Sequence, residues 1–214
     1  MLKNKLILIG GGGHCKACID IIAQDDRFDI AGVLDLPEKL GSTVSGSYQV
    51  IGSDADIPRY HDEGCSFFVT LGQIISARAR RRIFEQLKFL NAHIPTIIAK
   101  TAYVSASASI GTGTIIMHRA FVNAEASVAE NCILNTAAIV EHETHIGSHT
   151  HISTNAVLNG NCSVGSEVFI GSQATLVQGI SVCDHTIVGA AAVITRNIMQ
   201  PGTYVGNPAR NIKK

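Results

Sequence analysis

Four of the nine histidines in this chain stand within residues 142–151, and carboxylates flank the first of them. Acyl transfer to an amine or a hydroxyl needs a base with a pKa near neutrality, and histidine is the usual one. A neighbouring carboxylate fixes the tautomer of such a base and stabilises the imidazolium that forms. His142 with either Glu143 or Glu141 is therefore a candidate for a catalytic base and its orienting group.

The histidine cluster has two other interpretations. Histidines at a polar corner are often solvated side chains without a chemical role. His145 and His151 hold the same place in successive repeats, so we expect them on different faces of one subunit. They can then share a zinc ion only across a subunit boundary, as in hexapeptide carbonic-anhydrase-like proteins. We predict no metal site, and a zinc-dependent hydratase is the alternative.

A second candidate site is the run of four glycines at residues 10–13. It follows an apolar strand, Lys5–Ile9, and precedes a helical stretch, His14–Ala23. At such a junction an anion meets free N–H groups and the positive end of the helix dipole. Asp35, at the end of the next predicted strand, is placed to accept hydrogen bonds from a ribose or a base. The dinucleotide fingerprint is incomplete because Cys15 stands where a third glycine or alanine is usual, so a turn without a ligand is the alternative.

The histidine cluster lies inside a strict repeat, in which valine, isoleucine or leucine recurs at every sixth position from Val104 to Ile194. A helix places apolar residues near every 3.6 positions and a simple strand at every second one, so neither explains this period. Hexapeptide repeats are typical of a parallel β-helix. Three hexads complete one triangular coil, so the aliphatic residues stack in the core and residues eighteen apart lie in adjacent coils.

Glycines mark the turns of this predicted β-helix. Several directly follow an aliphatic residue, and we predict that they adopt positive φ at tight corners. Gly160 lies one coil above His142, where the missing side chain leaves room for a thioester. A backbone N–H at this position can face the oxyanion that develops on the thioester carbonyl. The glycines that follow aliphatic residues are Gly111, Gly147, Gly165, Gly171 and Gly189.

The first hundred residues alternate between predicted strands and helices. This alternation indicates a small parallel α/β domain, about half of a Rossmann fold. We therefore divide the chain into an α/β domain at residues 1–98 and a β-helix with a C-terminal tail at residues 99–214. The further predicted elements are a strand at Asp29–Leu34, a short strand at Val50–Ile51, a helix from a Ser53 cap to about His61, a strand at Ser66–Leu71, a helix at Ser76–Leu90 and a strand at Ile94–Ile98.

The composition limits which binding partners and which cellular compartment we expect for this protein. The formal net charge is zero and charged residues make up 16% of the chain, with no Lys/Arg run that would favour nucleic acid or an anionic membrane. No apolar run approaches the roughly 20 residues of a membrane helix, and the N-terminus lacks a signal-peptide pattern. Two of the six cysteines, Cys132 and Cys162, hold small core positions of the repeat rather than disulfide positions. We expect a protein of the reducing cytoplasm.

These features occur together in a known family. The glycine loop with His14, the small α/β domain, the hexapeptide repeats, the Asn-Thr-x-x-x-x-Glu-His-Glu segment at residues 135–143 and the tail Gly202–Arg210 follow one another in order. The chain resembles the bacterial sugar O-/N-acyltransferase family of the sialic acid O-acetyltransferase type, closest to the UDP-4-amino-sugar N-acetyltransferases. The resemblance covers nearly the whole chain. It implies a left-handed β-helix, which forms a triangular prism, and acetyl-CoA as co-substrate. It also implies a homotrimer with active sites between the prisms of neighbouring subunits.

The resemblance also implies residue roles. His142 is the implied general base and Glu143 orients it, while Asn135 contacts the sugar near the acceptor amine. Gln73 stands where many relatives have Asn or Asp, so the preference for base or sugar can differ. The other residues implied to hold the nucleotide sugar are Gly11, Gly12, Gly13, His14 and Asp35, and those implied to contact acetyl-CoA are His151, Gly160, Ser172, Gly189 and Ala190.

The sequence thus predicts an enzyme that transfers an acetyl group from acetyl-CoA to the amine of a nucleotide-activated amino sugar. The amine attacks the thioester directly, and no covalent enzyme intermediate is required. The alternatives are an O-acetyltransferase of a sugar such as sialic acid and a non-catalytic nucleotide-binding protein. The identity of the nucleotide, the sugar and the pathway stay open.

Overall fold

The structure, a computed structural model, describes residues 3–212. The outermost positions of the two predicted domains, 1–2 and 213–214, therefore lie outside the described range. The chain divides into two compact units, Met1–Gly72 with Arg78–Ala99, and Gln73–Ala77 with Lys100–Lys214. The division differs from the predicted boundary in two respects, because the short segment 73–77 belongs with the second unit and Ala99 belongs with the first. The predicted assignment of a separate function to each domain stays a prediction.

The first unit is built on a five-stranded sheet in the order β3-β4-β2-β1-β5. Its central strands are parallel, and β1 and β5 carry runs of buried residues, as strands covered on both faces do. The outer strand β3 pairs antiparallel with β4 in a hairpin that the sequence did not predict. The strands of this sheet are β1 (Asn4–Ile9), β2 (Phe28–Leu34), β3 (Thr43–Val44), β4 (Tyr48–Gly52) and β5 (Ser66–Val69). A two-residue strand outside this sheet is β6 (Ile97–Ile98), and the helices are α1 (Gly13–Ile22), α2 (Ile57–Asp62) and α3 (Arg78–Phe89).

Three predicted elements of this unit needed adjustment. The helix expected from Ser53 begins as a short 3-10 turn, Asp54–Asp56, before α2. The N–H of Ser53 donates to the Asp56 carboxylate at 2.8 Å, which satisfies an otherwise unpaired group at this helix start. The strand expected at Ile94–Ile98 is only two residues long, and α3 starts two residues later than expected.

The second unit is the predicted β-helix, and each of its two-residue strands between Tyr103 and Ile194 ends on an aliphatic residue of the repeat. Parallel pairing between residues eighteen apart builds three faces, which we call I, II and III. Face I consists of β7 (Tyr103–Val104), β10 (Phe121–Val122), β13 (Ile139–Val140), β16 (Val157–Leu158), β19 (Thr175–Leu176) and β22 (Val193–Ile194). Face II consists of β8 (Ser109–Ile110), β11 (Ser127–Val128), β14 (His145–Ile146), β17 (Ser163–Val164) and β20 (Ser181–Val182). Face III includes β9 (Ile115–Ile116), β12 (Ile133–Leu134), β15 (His151–Ile152), β18 (Phe169–Ile170), β21 (Ile187–Val188), β23 (Thr203–Val205) and β24 (Arg210–Asn211).

The core of the β-helix is the predicted aliphatic column. Its members from Ile116 to Ile194 are buried, while Val104 and Ile110 at the N-terminal end are only partly so. Cys132 and Cys162 are buried among them, as their small core positions predicted. Burial of each aliphatic side chain contributes roughly 1.5–3 kcal/mol, so stacked coils stabilise one another.

The predicted role of the turn glycines was wrong. Positive φ occurs three residues after the aliphatic position, mostly at residues other than glycine, for example Asn131, Ala137 and His149. The glycine directly after the aliphatic residue is needed for space instead. A Cβ at Gly147 would lie 2.6 Å from the backbone of Gly165 in the next coil. Adjacent coils therefore approach so closely at this position that a side chain does not fit.

The helices of the described chain, residues 3–212, include none with both the length and the apolar character that a bilayer crossing requires.

Candidate active site

His142 lies in the turn from face I to face II, which we call edge I/II. Its Nδ1 is 3.0 Å from a carboxylate oxygen of Glu143. Because a carboxylate only accepts, Nδ1 carries the hydrogen and Nε2 is left as the basic nitrogen. The imidazole is about half exposed, at 49%. Glu141 instead accepts a hydrogen bond from Asn123 at 2.5 Å, so Glu143 is the carboxylate that orients the imidazole.

Gly160 lies directly above this imidazole in the next coil. A Cβ at position 160 would stand 2.5 Å from both Cε1 and Nε2 of His142. The space that the sequence assigned to a thioester is therefore taken by the imidazole itself. The glycine permits the imidazole to pack closely against the edge of the β-helix.

His151 is buried on face III and both of its ring nitrogens are engaged. Nδ1 donates to the carbonyl oxygen of Gln73 at 2.7 Å, and Nε2 accepts from the amide of Asn135 at 3.2 Å. The Asn135 orientation is fixed because its Oδ1 accepts the Thr136 N–H at 2.7 Å. His151 is thus a neutral structural link, with no ring nitrogen left for zinc. Its ring also packs edge-on against Phe169 at 5.2 Å.

Gln73 and His151, one predicted for the substrate and one for the cofactor, thus contact each other. Gln73 is 4% exposed and donates from Nε2 to the carbonyl of Val168 at 3.3 Å. Sequence reasoning missed this contact because 78 residues separate its partners. The contact anchors the segment 73–77 to the β-helix.

The remaining predicted cofactor residues lie on another edge, III/I, where the chain passes from face III to face I. Ser172 pairs with Ser153 through their hydroxyls at 3.0 Å. Gly189 packs so closely on the C-terminal hairpin that a Cβ would lie 2.7 Å from Val205. Ala190 follows in the same turn, and Asn135 begins an earlier turn of this edge. Within one subunit, edge III/I and the His142–Gly160 pair are on different edges of the prism.

The glycine loop of the first unit borders a cavity of 530 Å³. Gly11 packs against Asp35, whose carboxylate would be 2.8 Å from a Cβ at position 11. Gly12 and Gly13 have open space where a side chain would point, which suits the approach of a ligand to their backbone. The cavity is lined by Gly10–Gly12 of the loop, the ends of β1 and β2, and side chains that include Asp35, Lys39, Ser53, Asp54, Leu71 and Arg82.

Asp35 is the most strongly held side chain of this cavity. It accepts from the N–H of Gly11 at 3.0 Å, from the N–H of Leu36 at 2.8 Å and from Lys39 at 2.8 Å. Burial on its own raises the pKa of Asp35, but these hydrogen bonds outweigh it, so the pKa lies below its usual range. Lys39 was not predicted as a site residue. Its spacing of four residues from Asp35 was the available signal.

His14 lies in the first turn of α1, and its side chain reaches toward the next turn of the helix. Its Nε2 is 3.5 Å from the thiol of Cys18, one helical turn away. Burial raises the pKa of the Cys18 thiol, so it stays protonated and packs as an apolar residue. Gly72 lies beside His14, where a Cβ would be 3.5 Å from it. Asp35 and Gly10–Gly12 of the loop are therefore brought together at the cavity, whereas His14 is not among the residues that line it.

Comparison with known proteins places these features in a family. The profile of the PglD N-terminal domain family matches residues 5–87. The structure of the acetyltransferase domain of PglB from Neisseria gonorrhoeae is 33% identical, with a TM-score of 0.92 over 98% of this chain and 100% of that chain. The same domain has also been determined in complex with acetyl coenzyme A.

A second similar structure is PerB from Caulobacter crescentus in complex with CoA and GDP-perosamine, 28% identical, with a TM-score of 0.91 over 98% of both chains. Two mutants of one histidine of that perosamine N-acetyltransferase have been determined with the same ligands. An uncharacterised protein of Acanthamoeba polyphaga mimivirus is 37% identical over 106 residues, which is 50% of this chain but only 20% of the viral protein. The similarity to PglB and PerB confirms the predicted fold class, an α/β domain followed by a left-handed parallel β-helix.

Proposed function

Because the chain belongs to the bacterial sugar acyltransferases that include the PglB acetyltransferase domain and PerB, we propose that it transfers an acetyl group from acetyl-CoA to the amine of a nucleotide-linked amino sugar. The observation that carries this proposal is the His142–Glu143 pair. The pair presents a basic nitrogen at a half-exposed edge, with its tautomer fixed by a carboxylate at 3.0 Å.

The chemistry follows from this arrangement. The acceptor amine attacks the thioester carbonyl, a C–N bond forms, and the C–S bond breaks to release CoA. His142 Nε2 takes the proton that the amine loses, and Glu143 stabilises the imidazolium through Nδ1–H. Proton transfer of this kind contributes typically 10²–10⁴-fold to the rate. Holding both substrates in one cleft supplies a further share.

The first unit is the proposed binding site for the nucleotide sugar. Its cavity of 530 Å³ falls in the size range of small-molecule sites. The open backbone at Gly12 and Gly13 and the start of α1 suit a diphosphate, and the cations Lys39 and Arg82 border the same cavity. Asp35 is anionic at neutral pH and has acceptor capacity for a ribose or a base.

The active unit in this proposal is a homotrimer, and the outward side chains of face I support it. They are apolar in five of six coils, whereas those of face II are serines and one histidine. An apolar sheet face with no cover in the subunit favours a second copy of the chain. The outward residues of face I are Tyr103, Phe121, Ile139, Val157, Thr175 and Val193, and those of face II are Ser109, Ser127, His145, Ser163 and Ser181.

This packing would also unite the two separated edges. Face I is bordered by edge I/II on one side and by edge III/I on the other. If three copies turn face I toward a threefold axis, edge I/II of each copy meets edge III/I of the next. His142 and Gly160 would then face Asn135, Ser172 and Gly189 of the neighbouring subunit. The site is incomplete without the second copy.

The compartment in this proposal is the cytoplasm. All six cysteines are free, and five of them are buried. Free, buried thiols fit a reducing environment better than an oxidising one.

The test is a panel of 4-amino sugars linked to UDP, GDP, CDP and dTDP, supplied with acetyl-CoA, with CoA release measured for each. We expect turnover with at least one of them and none with free sialic acid. Turnover with sialic acid alone would make the protein an O-acetyltransferase. The variant His142→Ala should lower kcat by at least about a hundredfold and leave the oligomeric state unchanged. Near-normal turnover by this variant would remove His142 from the role of base.

A further inference from the structure

Arg80 is a buried cation in the first turn of α3, with 1% of its surface exposed. Its Nη1 donates to the carbonyl oxygens of Val69 at 2.6 Å and of Leu71 at 3.0 Å. Taking a guanidinium out of water is costly, and replacing buried charges by apolar residues of similar volume is often neutral or stabilising. Stability alone is therefore a weak reason for an arginine at this position.

The two carbonyl groups belong to the segment that leaves β5, and this segment packs on the glycine loop. The N–H of Thr70 donates to the Ile9 carbonyl at 2.8 Å, and the Thr70 hydroxyl donates to the Gly10 carbonyl at 2.7 Å. Gly10 has a φ of +101°, and a Cβ there would lie 2.4 Å from the Leu71 side chain. The position of residues 69–71 therefore determines where the glycine loop begins.

Arg80 acts on the cavity of the first unit through other residues. Leu71 and Gly10 line this cavity, whereas Arg80 is not among its lining residues. The contacts run from the guanidinium to the end of β5, and from there through Thr70 to Gly10. The next glycines, Gly11 and Gly12, also line the cavity. A shift of the strand end would therefore move the backbone N–H groups that are open to a ligand.

The charge of Arg80 also reaches α1. It partly offsets the rise that burial causes in the pKa of the Cys18 thiol. Cys18 lies in the second turn of α1, and the glycine loop leads into the first turn of that helix. Salt screens a buried charge only weakly, so the guanidinium adds to the helix dipole in attracting an anion to the loop.

We propose that Arg80 is a positioning residue for the nucleotide sugar, and this inference rests on the proposed function. The guanidinium holds residues 69–71 against the glycine loop, so that the N–H groups of the loop meet the diphosphate. Its charge makes the same place more favourable for an anion. The ribose and the base carry no negative charge and should depend less on Arg80.

Kinetics of Arg80→Met and Arg80→Lys test this role with the best nucleotide sugar of the panel. For Arg80→Met we expect KM for the nucleotide sugar to rise at least about tenfold, because hydrogen bonds to a charged group are misplaced. KM for acetyl-CoA and kcat should stay within about twofold. Arg80→Lys keeps the charge but loses the paired donors, so its KM should lie between the two. A purely structural role would reduce the amount of folded enzyme, which lowers kcat and leaves both KM values unchanged.

The matched control is Arg59→Met in α2. Arg59 is a largely exposed arginine of the same unit, with 56% of its side chain accessible. Its replacement should leave both KM values and kcat as in the wild type. An equal rise in the KM for the nucleotide sugar in Arg59→Met and Arg80→Met would contradict a specific role of Arg80.

Direct binding separates this inference from the proposed function. Titration calorimetry with UDP, GDP, CDP and dTDP, each compared with its nucleoside, measures affinity without turnover. We expect Arg80→Met to bind the preferred diphosphate at least about tenfold more weakly and its nucleoside within about twofold of the wild type. Unchanged affinity for the diphosphate, or an equal loss for diphosphate and nucleoside, would overturn the inference. A wild type that binds none of the four diphosphates would instead overturn the nucleotide site of the proposed function, and the inference with it.

The variant Thr70→Val keeps the test decisive if Arg80→Met does not fold, as circular dichroism will show. Valine has nearly the shape of threonine but removes the hydroxyl that donates to Gly10, and it changes no charge. We expect the affinity for the diphosphate to fall at least about threefold, since one net hydrogen bond is lost, with the nucleoside unaffected. Wild-type affinities in both Thr70→Val and Arg80→Lys would overturn the positioning role.

Discussion

The imidazole of His142 fills the space that a side chain at position 160 would need, with Cε1 and Nε2 both 2.5 Å from the position of a Cβ. The two residues are eighteen positions apart and lie in adjacent coils. The imidazole is therefore held between the carboxylate of Glu143 on one side and a glycine surface on the other. Two separate changes can displace it without touching the residue itself.

The variant Gly160→Ala tests the glycine surface. The φ of Gly160 is not positive, so alanine fits the backbone, and the new methyl group pushes against the end of a half-exposed side chain. We expect the imidazole to move and kcat to fall by about 10- to 100-fold, because small displacements of a catalytic group have effects of this size. The free energy of unfolding should change by less than about 0.5 kcal/mol. Steady-state kinetics and thermal unfolding check both parts, and unchanged kcat would show that the contact with Gly160 does not position the base.

The variant Glu143→Gln tests the carboxylate. An amide can turn its NH2 toward Nδ1 and favour the wrong tautomer, and it does not stabilise the imidazolium. We expect kcat to fall at least about tenfold with little change in KM. Glu141→Gln is the matched control, since Glu141 bonds to Asn123 and not to the imidazole. Equal losses in the two variants would contradict the assignment of Glu143 as the orienting group.

The sequence predicted the β-helix well because one interaction dominates it. Burial of the aliphatic column repeats every six residues, so the strands, the small core positions and the neighbour relation of His142 and Gly160 all followed from one period. The conformation of the turns did not follow. Left-handed backbone occurs at Arg119, Glu125 and Asn131, among others, and these residue types share no signal that glycine would have given.

Long-range contacts in the candidate site were also beyond sequence reasoning. The adjacency of His142 and Glu143 was visible in the sequence, but the choice between Glu143 and Glu141 needed the contact of Glu141 with Asn123. The bond between His151 and the Gln73 carbonyl joins positions with no local pattern in common. A residue that a family resemblance implies for ligand contact can thus be engaged inside its own subunit.

A pair of turn variants tests why glycines follow the aliphatic residues. Gly147→Ala places a methyl group 2.6 Å from the backbone of Gly165, which cannot move aside as a side chain can. We expect a loss of about 1–3 kcal/mol in the free energy of unfolding, as for an overpacked core. Ala137→Gly removes a side chain at positive φ, where relief of about 1 kcal/mol of backbone strain offsets a similar entropic cost. Chemical denaturation should give this variant a free energy of unfolding within about 0.5 kcal/mol of the wild type. If Ala137→Gly were instead the more destabilising of the two variants, the prediction that these glycines are needed for positive φ would be restored.

The carboxylate of Asp35 should give the first unit a stability that depends on pH. Its pKa is lowered in the folded state, so its contribution is complete above the unfolded pKa of about 3.9 and is lost as the pH falls below that value through the folded pKa. Asp35→Asn should reduce the free energy of unfolding by about 1–3 kcal/mol at pH 7, where charged hydrogen bonds to Gly11 and Leu36 are weakened. The difference from the wild type should shrink as the pH falls below about 3.9. Asp29→Asn, on the exposed side of the same strand, is the control and should change stability by less than about 0.5 kcal/mol. A difference that does not depend on pH would exclude ionisation as its source.

The outward surface of face I offers the sharpest test of assembly. Val157→Glu places a charge in the centre of the apolar column, where packing against a second copy would leave it without water or a partner. Ser163→Glu introduces the same side chain on face II in the same coil, six residues later. Both positions point away from the prism core, so both variants should fold with the circular dichroism of the wild type. We expect Val157→Glu to be monomeric in analytical ultracentrifugation and Ser163→Glu to be trimeric.

Activity should follow assembly in these two variants. If the neighbouring subunit contributes edge III/I to the site, the monomeric Val157→Glu protein loses acetyl transfer although His142, Glu143 and Gly160 are intact. The cavity proposed for the nucleotide sugar lies within the first unit, so binding of the nucleotide alone should survive in the same protein. This combination, ligand bound but no turnover, distinguishes a divided active site from a misfolded one. A monomer with full activity would show that one prism is sufficient and that face I serves another purpose.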